Sequence, residues 1–99
     1  MTTTTDSRGM AAARLAELIA ALKGVPGETS APLIGECEAL ARAIGAFHME
    51  GIRFRIFNVD RLISRAPGSL PPQVPALLEE VRRYLEAAGF HTRSHQAPG

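Results

Sequence analysis

Arg53, Phe54, Arg55, Phe57, Arg61 and Arg65 fall within one short stretch of the chain. Guanidinium groups pair with carboxylates and phosphates, and aromatic faces fill protein pockets or stack on bases. The combination suits a protein interface, where arginine and aromatic residues are enriched. It also suits a polyanion-binding surface, for which Arg53, Arg55, Arg61 and Arg65 would supply the charge. Phe47, seven residues before Phe54, extends the aromatic set, so Phe47, Phe54, Phe57 and Arg55 are the candidate interface residues.

Other reactive side chains are sparse. Cys37 is the one cysteine, and a nucleophilic pair would need His48 within hydrogen-bond reach of it. On a continuous helix the two share a face but stand about 16 Å apart. Cys37 then reads as a small core residue and His48 as half-buried. His48 and Glu50 give the H-x-E that opens a zinc-deaminase pattern, but the required P-C-x-x-C does not follow. His91 and His95 are four apart, a metal-binding spacing on a helix, yet they lie in a polar tail beyond a helix stop and a third ligand is missing. No H-E-x-x-H or glycine-rich phosphate loop occurs. The chain is therefore read as a non-enzyme with no catalytic residues, metal or cofactor.

The arginine–phenylalanine stretch sits inside Pro32–Arg65, a segment bounded by turn clusters with no internal proline. Leu33, Ile34, Cys37, Leu40, Ala41, Ile44, His48, Ile52, Val59, Leu62 and Ile63 fall at helical spacings. The segment is read as one long central helix. Glu38, Arg42, Arg53 and Asp60 take its opposite face, while Arg55 lands within the stripe. Gly45 and Gly51 each cost about 1 kcal/mol relative to alanine, and mark either a kink or a close helix contact. An alternative uses the alternation of Ile52, Phe54 and Ile56 after Gly51 to predict a strand at 52–58 in a small α+β domain. Its partner would be Phe90–His95, and a lone two-stranded ribbon is marginal.

Before this segment, Leu15, Leu18, Ile19 and Leu22 predict a helix from about Gly9 to Lys23, capped by Asp6 or Ser7. Gly24 suits a left-handed stop, with Pro26 blocking continuation. Ser30 is the expected cap of the central helix, with Pro32 in its first turn. After the break APGSLPP, Val74, Leu77, Leu78, Val81, Leu85 and Ala88 predict a third helix. Glu79–Arg83 and Arg82–Glu86 are oppositely charged pairs along it. Gly89 is its left-handed stop, and Phe90 folds back onto Leu85. Residues 1–8 are expected to be a disordered lead, 9–90 one helical domain, and 91–99 a flexible tail.

These lengths predict an arrangement. The central helix would run roughly 50 Å and its neighbours roughly 22 Å each. The two short helices would lie antiparallel on successive halves of the long one. Such a unit is two helices thick with no closed core, and two copies would complete a bundle. The fold class is thus all-α, three helices, completed by homodimerisation. At 99 residues and 45% hydrophobic content, a single domain with a packed core is expected.

A net charge of +1 gives no global attraction to nucleic acid or anionic membrane. The polar N-terminus and the absence of a long apolar run predict a cytoplasmic protein without a membrane span. The function expected is protein–protein contact, namely self-assembly and a regulatory or adaptor partner. The alternatives are a nucleic-acid-associated regulator using segment 53–65, and a dimeric bundle with a ligand or metal pocket near Cys37 and His48.

Overall fold

Leucine and isoleucine at helical spacing wind the chain into four helices, α1 (Ser7–Lys23), α2 (Ser30–Gly45), α3 (Met49–Ser64) and α4 (Gln73–Ala87). The computed structural model describes residues 6–25, 28, 30–66, 68–90 and 92. The all-α reading holds. Among the described residues there is no strand, and 52–58 lies in the middle of α3, which overturns the α+β alternative. Ile52, Ile56, Val59 and Ile63 are buried together on one face of α3. That helical stripe outweighs the short alternation beside it.

The expected single central helix is two helices, so the bundle has four. The break falls at Ala46–His48, between the two glycines rather than on either. Phe47 takes a left-handed φ of 57°. Its N–H donates to Ile44 O at 3.2 Å, and that of His48 to Ala43 O at 3.0 Å. This pair of bonds is a Schellman stop. His48 then caps α3, its Nδ1 accepting from Gly51 N at 2.9 Å. A side chain at Gly51 would put its Cβ 2.6 Å from that Nδ1 and 3.4 Å from Ala43 Cβ. Gly51 thus makes room for the cap and for the end of α2, and does not stop a helix itself.

The other ends follow simpler chemistry. Asp6 caps α1 by accepting from Gly9 N at 3.0 Å, so the helix starts two residues before Gly9. Gly24 has φ −83°, a right-handed conformation, and the predicted left-handed stop is not formed there. Ser30 is buried at the start of α2, and its hydroxyl donates to Val25 O at 2.8 Å. Pro75 sits in the first turn of α4, where a missing N–H costs nothing. Gly89 has φ +99°, and Phe90 N donates to Leu85 O at 2.9 Å, as the sequence predicts.

The packing also departs from the expected arrangement. α1 lies between α4 and α2, and α3 packs on α2. The last helix therefore pairs with the first, not with the second half of a long helix. Breaking the chain at Phe47 folds α3 back antiparallel on α2. One core then collects Leu15, Leu18 and Leu22 of α1, Leu33, Cys37 and Leu40 of α2, Ile52, Ile56 and Val59 of α3, and Val74, Val81 and Leu85 of α4. Burying a side chain of this size contributes about 1.5–3 kcal/mol, and the bundle closes within one chain. The molecule is flattened, with extents of 41 × 37 × 21 Å. No described helix is long and apolar enough to cross a membrane.

Candidate protein-contact surface

The core stripe of α3 fixes what its other side presents. At about 100° per residue, Phe54, Phe57 and Arg61 lie opposite Ile52, Ile56, Val59 and Ile63. Phe54 and Phe57 are 56% and 55% exposed, and Phe47 is 62% exposed. α3 is therefore apolar on two opposed sides, one buried against α2 and one facing outward.

Each exposed ring carries a guanidinium. The Arg8 Cζ stands 4.0 Å from the Phe47 centroid, that of Arg55 5.1 Å from Phe54, and that of Arg61 5.6 Å from Phe57. Such stacks contribute about 0.5–1 kcal/mol at exposed sites. They also cover part of each ring.

The predicted site residues separate into distinct places. Phe54 and Phe57 are brought together on the outer face of α3, three residues apart. Phe47 belongs to the α2–α3 turn, where it lines an open cleft of about 300 Å³ with Asp6, Ser7, Arg8, Ala87, Ala88 and Phe90. Arg55 turns inward to Glu36 of α2, with Nη1 3.0 Å from Glu36 Oε1, and Asn58 donates to the same oxygen at 3.2 Å. Arg55 joins α3 to α2 and flanks the phenylalanine face. Of the four candidate polyanion ligands, Arg53 and Arg55 are about 200° apart around the axis. Arg61 stacks on Phe57, and Arg65 is the C-cap of α3.

Cys37 and His48 lie on different elements. Cys37 is fully buried in α2, and burial, followed by the nearby Glu36 and Glu38 carboxylates, pushes its thiol up to about 12. A thiol held in that state is a weak nucleophile and a poor metal ligand. His48 is exposed and its Nδ1 is engaged by Gly51 N, so it caps α3 and is not a half-buried member of a long stripe. Among the described residues no group of three or more His, Cys, Asp or Glu is placed to hold a metal ion. His91 and His95 lie outside the described residues.

Two arginines acquire roles that their sequence positions do not reveal. Arg8 donates to Ile44 O at 3.3 Å, supporting the last turn of α2 while stacking on Phe47. Arg82 is buried, donates to Thr92 O at 3.3 Å, and approaches Asp60 at 3.5 Å and Glu79 at 3.9 Å. It ties α4 to α3 and to the segment after α4. Ile44, Asp60 and Thr92 are distant in sequence from the arginines they meet, and no spacing rule connects them; only the Arg82–Glu79 pair follows a helical spacing.

No protein-family model matches this chain, and neither a curated protein nor a solved structure matches it.

Proposed function

We propose that this chain is a non-enzymatic helical contact module that works through the Phe54–Phe57 side of α3. The supporting observation is the two-sided apolarity of α3. Its inner side completes a core built from all four helices. Its outer side keeps two phenylalanines more than half exposed. Singly exposed apolar residues are ordinary, but adjacent aromatic rings bordered by arginine form the composition of an interaction patch.

Photo-crosslinking from the site tests this reading. A benzoyl-phenylalanine placed at Phe57 in the expressing cell should give protein adducts that disappear with Phe54→Ser. The same probe at the exposed Arg83 on α4 should give far fewer. Absence of adducts from position 57, or equal yields from position 83, would overturn the proposal.

A further inference from the structure

The charge pattern along α3 specifies both the occupant of this face and its orientation. We infer that the outer face of α3 receives α3 of a second copy, antiparallel, about a two-fold axis midway between Phe54 and Phe57. The inference rests on the reading of that face as a contact surface.

Glu50, Phe54, Phe57 and Arg61 are spaced four, three and four residues apart, the a/d repeat of a two-helix seam. All four are exposed. The seam is acidic at its N-terminal end, aromatic in the middle and basic at its C-terminal end. A two-fold contact is self-complementary, since each residue meets its counterpart from the other copy in reversed order. Setting Phe54 against Phe57 of the second copy fixes the register. That same register sets Glu50 against Arg61 of the second copy, at both ends of the contact. On one flank it brings Arg53 toward Asp60 of the second copy.

Other pairings lose this match. Parallel helices set Glu50 against Glu50 and Arg61 against Arg61. Sliding the antiparallel copies by three residues sets Phe54 against itself with Phe57 on Gly51, or Phe57 against itself with Phe54 on Asp60, and sliding by four sets Phe57 on Glu50 or Phe54 on Arg61. One register therefore satisfies the rings and the charges together. Like charges brought together elsewhere disfavour the alternatives.

The test uses the purified full chain, with mass followed by light scattering across a dilution series. The wild type should be a dimer of the 10.6 kDa chain, and F54S/F57S should be monomeric with unchanged circular dichroism. E50R and R61E should each weaken the dimer about tenfold, because each reversal acts on two symmetric pairs. The double exchange E50R/R61E should return the dissociation constant to within about twofold of the wild type, since it restores both antiparallel pairs. A double exchange as weak as the singles, with F54S/F57S still monomeric, overturns the register and leaves the contact face standing. A dimer indifferent to F54S/F57S removes both. A wild type monomeric at every concentration overturns the second copy as occupant, and the crosslinking test then decides the face by itself.

Discussion

Helices α2 and α4 end in the same backbone figure built from different residues. At the end of α4, Gly89 N donates to Glu86 O at 3.0 Å and Phe90 N to Leu85 O at 2.9 Å. At the end of α2, Phe47 N donates to Ile44 O at 3.2 Å and His48 N to Ala43 O at 3.0 Å. The left-handed position is Gly89 in one and Phe47 in the other. Glycine reaches that conformation without a Cβ collision, whereas any other L-residue is disfavoured there by about 1–2 kcal/mol. The following residue is buried Phe90 in one case and exposed His48 in the other. Two arginines back the two ends. Arg82 is buried and holds Thr92 beyond α4, while Arg8 stacks on exposed Phe47.

One set of hydrogen bonds is thus enforced in two ways. The α4 end uses intrinsic backbone preference and burial. The α2 end is forced by its surroundings, because α3 must return onto α2 and His48 must reach Gly51. The strain at Phe47 is offset by a cap on the far side of the turn and by the arginine stack.

The largest effect should come from Arg82→Ala. It removes a buried hydrogen bond to Thr92 O and the contact with Asp60. Hydrogen bonds to charged groups contribute about 1.5–3 kcal/mol, and urea unfolding should show a loss in that range. Gly89→Ala should cost about 1–2 kcal/mol by the same measurement. A smaller loss would mean that the α4 end is held by Arg82 and not by its glycine.

His48→Ala removes the α3 cap and should cost about 1 kcal/mol. In that background Gly51→Ala no longer meets an imidazole, and should recover up to about 1 kcal/mol through helix propensity. In the wild type the same change collides with Nδ1. A double-mutant cycle isolates this coupling. If Gly51→Ala is equally tolerated in both backgrounds, the cap is not what requires glycine.

The smallest effects lie at Phe47. Phe47→Gly and Phe47→Ala both lose the arginine stack, but only glycine relieves the left-handed strain. The glycine variant should therefore be about 1 kcal/mol more stable than the alanine variant.

Cys37 reports on the same equilibrium. Its thiol is held protonated by burial, so alkylation at neutral pH should wait for the core to open. His48→Ala should speed labelling about fivefold if opening is global, since about 1 kcal/mol changes the open population by that factor. An unchanged rate would mean that Cys37 opens independently of the turn. The shift also has a pH consequence. The thiol is raised from 9.0 in the unfolded reference to about 12 in the fold. Its contribution to stability is complete below pH 9, and is lost as pH rises between about 9 and 12 because the unfolded chain releases the proton first. Cys37→Ser should flatten that part of the stability profile.

Much of the fold was legible because the core is periodic. Leu15, Leu18, Ile19 and Leu22 predicted α1, and Val74, Leu77, Leu78, Val81, Leu85 and Ala88 predicted α4; Ile19 and Leu77 are half-buried, Ala88 is exposed, and the other seven are buried. Gly89 was legible as a stop because its chemistry is local. Phe54 and Phe57 were legible as surplus apolar residues because they fall off the stripe of their own helix, and they are exposed in the fold. The α2–α3 break was not legible as such. Gly45 and Gly51 signalled a kink or a close contact, but the residue that turns the chain is a phenylalanine, which carries no turn preference. Gly24, by contrast, carries the preference and does not use it. Local propensity is a bias of about 1 kcal/mol, and tertiary packing overrides it in both directions.

The amino-acid sequence by itself therefore determined the helical class, the buried stripes, the outer ends of the bundle and the surplus rings on α3. Each of these depends on neighbours within a turn or two. The tertiary structure alone decided that the middle helix breaks at Phe47, that α4 lies on α1, and that Arg8, Arg55 and Arg82 find Ile44, Glu36 and Thr92. Those outcomes depend on closing one core from four helices. The gain from that closure is collective, and it is large enough to set the backbone of a single residue against its own preference.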